Sequence, residues 1–108
     1  MDEVFKALAD PNRRELLDRL HAADGRTLKE LCEHMAMSRQ AVMKHLDVLE
    51  GANLVVTVRR GREKLHYLNP VPIADIYHRW IGKYEAQQVQ ALTLLKEALQ
   101  EAPVEGDA

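Results

Sequence analysis

A mainly α-helical fold with one small β-hairpin is predicted by three features of this sequence. Apolar residues recur at helical spacing through most of the chain, and two helix-start signals, Thr27 and Ser38, stand close together. The apolar spacing changes to alternation in residues 54–68. Two helices joined by so short a turn must cross steeply. We therefore expect a winged helix-turn-helix with about five helices and a two-stranded wing.

The first two helices follow from apolar spacing and a start signal. A short helix is expected over about residues 3–9, where Val4, Phe5 and Leu8 share one face. A second begins at Asp10-Pro11, because aspartate caps helices well and proline suits the first helical position. Its inward stripe is Leu16, Leu17 and Leu20.

The helix-turn-helix is expected in residues 27–53. Thr27 and Glu30 form a capping-box pattern, and Leu28, Leu31 and Met35 point inward after it. Ser38 caps the next helix, which should end near Gly51 and Asn53. On a helical wheel its inward residues are Val42, Leu46 and Leu49, and its outward residues are Gln40, Met43, Lys44 and Asp47.

The wing is expected after this helix. Alternating residues in the first strand are Val56, Thr57, Val58 and Arg59. The segment 60–63 supplies the bend, and Leu65, Tyr67 and Leu68 follow it. Because an isolated hairpin is only marginally stable, the wing should lean on the helices.

A last helix is expected over residues 72–100, followed by a disordered tail at 103–108, so that the domain spans 1–102. Its apolar stripe is Ile73, Ile76, Tyr77, Trp80, Tyr84, Leu92, Leu95 and Leu99. Such a helix is about 42 Å long, more than this small domain can cover. A second copy of the chain is the simplest partner for it.

Charge is distributed unevenly along the chain. Residues 38–64 hold six Lys or Arg against three acids, a net +3, whereas the remainder holds nine basic and fourteen acidic residues, a net −5. A basic zone of this kind is typical of a surface that binds a polyanion. The single cysteine, Cys32, excludes an intrachain disulfide and fits a reducing cytoplasm. Neither a signal peptide nor an apolar run long enough to span a membrane is present, so a cytoplasmic location is expected.

The candidate nucleic-acid contacts are the polar residues of this basic zone. In the helix after Ser38, Gln40 and Lys44 suit base edges or phosphates, and Arg39 suits a phosphate. His45 lies at the edge of the apolar stripe, where packing is an equal alternative, and Arg59 could pair with an acid instead. The full predicted set is Ser38, Arg39, Gln40, Lys44, His45, Arg60, Arg62 and Lys64.

The order of these segments resembles the ArsR/SmtB family of bacterial repressors. The resemblance is carried by FKALADPNRRELLDRL, SRQAVMKHLDVLEGANLV and RRGREKLHYL, and it covers about residues 4–84. It implies a winged-helix homodimer that binds a partly palindromic operator in double-stranded DNA and represses transcription. It also implies that the first and last helices pair across the dimer, through Val4, Phe5, Leu8, Ile76, Trp80, Tyr84, Leu92 and Leu95. Trp80 and Tyr84 resemble a branch without metal sites, and Met43 replaces a serine found in many relatives.

Other functions receive less support from the residues. Cys32 and His34 supply two metal ligands where zinc needs four, and the family's other ligand motifs do not occur, so we expect no metal or other cofactor. No nucleophile motif or glycine-rich phosphate loop is present, and catalysis is not expected. Two alternatives remain open, a metal- or thiol-responsive sensor and a protein-interaction module that kept the fold without operator binding. The inducer is unknown.

Overall fold

The computed structural model describes residues 1–82 and 86–106, and within them it contains six helices and one two-stranded antiparallel sheet. The helices are α1 Asp2–Leu8, α2 Pro11–Ala22, α3 Leu28–Glu33, α4 Arg39–Gly51, α5 Val71–Trp80 and α6 Ala86–Gly106. The strands are β1 Val55–Arg60 and β2 Glu63–Leu68. Contacts divide the chain into two compact units, Met1–Ala74 and Asp75–Ala108. The order of elements confirms the expected fold class.

Side-chain caps fix the starts of the three central helices, as the sequence predicted. The Asp10 carboxylate accepts from the backbone N–H groups of Asn12 at 2.8 Å and Arg13 at 3.3 Å. Thr27 and Glu30 form both bonds of the capping box. The Ser38 hydroxyl accepts from the N–H of Ala41 at 3.1 Å. Each cap satisfies donors that the first helical turn would otherwise leave unpaired.

The cap at Asp10 makes stability depend on pH. Burial raises the pKa of this carboxyl, but the N–H groups of Asn12 and Arg13 and the Arg13 guanidinium outweigh it, so the pKa lies below the ordinary value. A lowered pKa means that the charged cap stabilises the fold above about pH 4 and loses this effect as pH falls further. We expect Asp10→Asn, which keeps an acceptor oxygen without the charge, to lower the melting temperature at neutral pH. The difference from the parent should shrink in acid.

Thermal melts followed by circular dichroism between about pH 3 and pH 7 would measure this difference. A gap in melting temperature that stayed constant over the whole range would contradict the assignment.

The core of the first unit is built from α1 to α4 and the start of β1. Leu16, Leu20, Leu49 and Leu54 are fully buried, and so is Val42. The inward stripes predicted for α2 and α4 are confirmed. Leu31 and Met35 are also buried, whereas Leu28 is half-buried.

The exit from α4 depends on Asn53. Its φ of 61° lies in the left-handed region, which asparagine tolerates better than most residues do. This conformation lets the N–H of Leu54 reach the Leu49 carbonyl at 2.9 Å. The chain then turns directly into β1, as the predicted helix end requires.

The wing pairs its strands in register from Val55 opposite Leu68 to Arg60 opposite Glu63. Gly61, with a φ of 63°, makes the bend. The face that contains Val55 and His66 is buried, whereas Val56 and Val58, which belong to the alternation that predicted the strand, are exposed. Alternation therefore located the strand correctly, but the more apolar face points outward.

Residues just before α3 anchor the wing. The backbone N–H of His66 donates to the Arg26 carbonyl at 2.8 Å, and the N–H of Gly25 donates to the His66 carbonyl at 2.9 Å. The Leu68 N–H donates to the Asp24 carboxylate at 2.9 Å. A Cβ at Gly25 would lie 3.1 Å from the Tyr67 hydroxyl, so the strand and this loop are in close contact. The wing leans on the helical part of the domain, as expected.

The prediction of one helix over residues 72–100 is wrong, because α5 ends at Trp80 and α6 begins at Ala86. The N–H groups of both Ile81 and Gly82 donate to the Tyr77 carbonyl at 2.8 Å, which closes the last turn. A Cβ at Gly82 would lie 3.1 Å from the His78 Cα, so this closure favours glycine. The break accounts for six helices where about five were expected.

The far end of the chain also differs from expectation. Helix α6 reaches Gly106, whereas a disordered tail was expected from residue 103. Residues 96–101 are strong helix formers, but Pro103 and Gly106 are the weakest ones, so local helix propensity does not explain this extension. Residues 107–108 lie outside the described residues.

Candidate nucleic-acid interface

The outer face of α4 displays long polar side chains. Arg39, Gln40, Lys44 and Asp47 are exposed, and Met43 is 46% exposed between them. The inner stripe determines this orientation. Val42, Leu46 and Leu49 must face the core, and this requirement fixes how α4 is rotated about its own axis. The structure therefore brings Arg39, Gln40 and Lys44, three of the predicted contact residues, onto one surface.

Ser38 stands at the N-terminus of this helix. It is exposed, and its hydroxyl oxygen accepts from the Ala41 N–H. A hydroxyl that accepts one bond can still donate its own hydrogen, so Ser38 can cap α4 and donate to a phosphate at once. The positive end of the helix dipole favours an anion here.

The wing places its cations near α4. Arg60 and Arg62 are exposed at the bend. Lys64 forms an ion pair with Glu50 of α4, with 3.5 Å between Nζ and Oε1. The sequence left open an ion pair between Arg59 and an acid of the same domain. The structure shows such an ion pair at Lys64. A phosphate bound by Lys64 would therefore compete with Glu50.

A cleft of ≈ 430 Å³ separates the wing from the helix-turn-helix. Arg39 and Met43 of α4 line one side, and Arg62 and Lys64 of the wing line the other. Residues that lie far apart in sequence therefore share one charged surface. Three bases of residues 38–64 and all three of its acids line this cleft, so the net +3 of the segment is carried by Lys44, Arg59 and Arg60 outside it.

His45 lies on a different side of α4. It is half-buried, and the Arg13 guanidinium of α2 donates to its Nδ1 at 3.4 Å. Arg13 also donates to the carbonyls of Ala7 at 2.8 Å and Lys6 at 2.9 Å. The structure thus favours the packing alternative for His45.

Sequence reasoning missed two structural side chains near the site. Arg13 joins α1, α2 and α4, and its position one turn after the Asp10 cap was the available signal. His66 is only 4% exposed, and its Nδ1–H donates to the Arg26 carbonyl at 2.8 Å. His66 alternates with Leu65 and Tyr67, and this pattern gave no indication that the histidine is buried.

The residues predicted to form the dimer interface are distributed over both units. Val4 is buried in the core of its own unit, Phe5 is exposed and Leu8 is half-buried. In the second unit Ile76 is half-buried and Trp80 is exposed. Leu92 is 64% exposed and Leu95 is 55% exposed. Tyr84 lies outside the described residues.

The structure also bears on the alternative of a metal- or thiol-responsive sensor. Cys32 is a half-buried free thiol, and within residues 1–82 and 86–106 no three His, Cys, Asp or Glu side chains are grouped closely enough to hold a metal ion. No helix in the described part of the chain is both long and apolar enough to cross a membrane.

Comparison with known proteins gives consistent matches. A family model described as a helix-turn-helix domain matches residues 8–58. The uncharacterized HTH-type transcriptional regulator YuzN of Bacillus subtilis is 38% identical over 86 residues, which cover 74% of this chain and 94% of YuzN. The transcriptional repressor SdpR of the same organism is 35% identical over 69% of this chain and 82% of its own. An ArsR-like transcriptional regulator from Rhodococcus sp. RHA1 has a similar structure, with 30% identity, coverage of 92% and 89%, and a TM-score of 0.69.

Proposed function

This chain belongs to the ArsR family of winged helix-turn-helix transcriptional regulators, and from that we propose that it is a homodimeric repressor of a partly palindromic operator. That it is a DNA-binding transcriptional regulator follows from the family. The name of SdpR, a transcriptional repressor, supports repression as the outcome. A regulator of this kind must reach chromosomal DNA, which supports a cytoplasmic location.

The outward face of α4 is the observation that carries the proposal. Gln40 and Lys44 lie one turn apart, are both exposed, and stand opposite the buried stripe. In helix-turn-helix proteins the second helix enters the major groove, and its N-terminal residues contact base edges. A symmetric dimer would present two such helices to half-sites about 10–10.5 bp apart.

Contacts divide into those that read sequence and those that hold the backbone. Gln40 can bond an adenine edge through two hydrogen bonds, and Lys44 suits guanine or a phosphate. Arg39 and Ser38, beside the positive end of α4, suit a phosphate. Arg60 and Arg62 can hold the backbone or the minor groove beside the wing.

We expect Gln40→Ala to weaken binding to the operator by about 1–3 kcal/mol and to leave binding to a scrambled duplex nearly unchanged, because base-edge bonds form only at the right sequence. Gln90→Ala, which removes an exposed glutamine from α6, is the matched control and should change neither affinity. The operator is first identified by footprinting the DNA upstream of the gene. Titrations of both duplexes then give the comparison.

The double variant Arg60→Ala with Arg62→Ala should behave differently. It should weaken both duplexes alike and reduce the slope of log affinity against log salt by about one unit for each lost phosphate contact. Titrations at two salt concentrations measure this slope. Equal losses on both duplexes for Gln40→Ala, or no loss at all, would show that the outer face of α4 does not read sequence. A parent protein without affinity for any duplex would favour the interaction-module alternative.

A further inference from the structure

The cleft between the wing and the helix-turn-helix has features that DNA binding does not use. We propose that it binds a small amphiphilic carboxylate, an aromatic acid or one of similar shape, and that the bound acid displaces DNA. Binding of the acid stands by itself, whereas displacement rests on the proposed function.

The size and the walls of the cleft fit such a ligand. Its ≈ 430 Å³ falls within the roughly 300–1,000 Å³ usual for small-molecule sites. Leu28 of α3, Met43 and the buried Leu46 of α4 supply an apolar wall. An apolar wall does not stabilise a bound phosphate. It does stabilise a bound hydrocarbon ring, because contact between the two removes apolar surface from water. All lining residues belong to the first unit.

His66 supplies a polar group in the same cleft. A carbonyl only accepts hydrogen bonds, so the 2.8 Å contact with the Arg26 carbonyl requires a hydrogen on Nδ1. In the neutral ring Nε2 is then the hydrogen-bond acceptor. Among the described residues, the ring nitrogen that forms a hydrogen bond is Nδ1. The ring is held in place because its residue also bridges to Arg26 through the backbone.

The charges of the cleft favour an anion. The lining contains four cations and three acids, namely Lys29, Arg39, Arg62 and Lys64 against Asp47, Glu50 and Glu63. Glu50 already pairs with Lys64. Arg39 of α4 and Arg62 of the wing both line the cleft, and a guanidinium binds a carboxylate through two parallel hydrogen bonds.

The same two arginines belong to the DNA surface proposed above. A ligand carboxylate that occupies Arg39 and Arg62 removes two phosphate contacts from each protomer, so ligand and DNA should compete. The cleft thereby offers a way for a small acid to release the regulator from its operator.

The test uses 2-naphthoate as the probe and its neutral amide, 2-naphthamide, as the control ligand. Titration of the isotope-labelled full chain without DNA should give saturable shifts in the NMR signals of Leu28, Met43 and His66. The amide should bind roughly tenfold more weakly, because it lacks the charge that the arginines recognise. Absence of saturable shifts up to millimolar naphthoate, shifts located elsewhere, or equal binding of the amide would overturn the site.

Two variants on the same helix provide a matched comparison. Met43→Glu puts a negative charge into the cleft, whereas Val48→Glu makes the same kind of change at a residue that is 43% exposed and does not line the cleft. We expect Met43→Glu to lose naphthoate binding and Val48→Glu to keep it. Arg62→Gln, at the exposed bend, removes a cation and leaves the apolar wall intact, so it tests the charge even if Met43→Glu fails to fold. Retained binding in both cleft variants would refute the proposal.

Displacement is measured separately on the operator. Naphthoate should raise the apparent Kd of the parent protein for DNA, and the amide should not. Naphthoate bound in the cleft without any effect on a DNA complex would refute displacement alone. If no duplex bound at all, the proposed function would fail, while the NMR titration would still decide the ligand site.

Discussion

Replacing Leu92 and Leu95 together with aspartate should convert the protein to monomers and weaken operator binding by about 10²–10⁴-fold. Both leucines are mostly exposed and lie three positions apart on one face of α6. A buried charge without a partner is costly, so two aspartates in an interface oppose association. The loss in DNA affinity follows because the second half-site is bound at an effective concentration that only a dimer provides.

Sedimentation velocity at micromolar concentration gives the assembly state, and the operator titration gives the affinity. Gln90→Asp with Thr93→Asp is the matched control, because it places two aspartates at the same spacing on another face of α6. The control should remain dimeric. A parent protein that sediments as a monomer, or a leucine variant that remains dimeric, would contradict the proposed interface.

Truncating Leu49 to alanine should lower the free energy of unfolding by about 2–5 kcal/mol. Leu49 is fully buried in α4, so its removal leaves a cavity beneath the helix that displays Gln40 and Lys44. Small domains are stable by only about 5–15 kcal/mol, and this loss is a large part of that. The orientation of the outer face of α4 should be perturbed together with stability.

Urea unfolding at one fixed protein concentration measures this loss. Leu49→Met conserves volume and should cost less than about 1.5 kcal/mol. If alanine cost no more than methionine, Leu49 would not be a core residue of this fold.

Local signals made the central helices predictable. Asp10 before proline, Thr27 with Glu30, and Ser38 each act within one turn, so their effect on the backbone can be inferred without tertiary structure. The face of α4 that points to solvent was predictable for a similar reason. Val42 and Leu46 are buried, so the opposite side of the helix must be exposed. The exposure of the candidate contacts on that face could therefore be predicted, whereas their role in binding DNA stays a prediction.

Features that depend on packing between distant segments could not be predicted in this way. His66 is buried because the wing folds back onto Arg26, and nothing in its neighbours along the chain indicates that contact. The pair between Lys64 and Glu50 likewise needs the wing beside α4. The break after Trp80 was missed because apolar spacing continues across Gly82, although one glycine ended the helix.

The bridge between Arg26 and His66 also bears on how quickly the chain can reach its fold. The helical caps and the hairpin close over a few residues, whereas this bridge joins positions 40 apart. Loop-closure entropy grows only slowly with length, by about 0.6 kcal/mol for each doubling, so the wing costs little more to dock than a shorter loop would. Contacts of high sequence separation nevertheless slow folding more than they reduce stability. The attachment of the wing thus raises the contact order of a chain whose remaining structure is largely local.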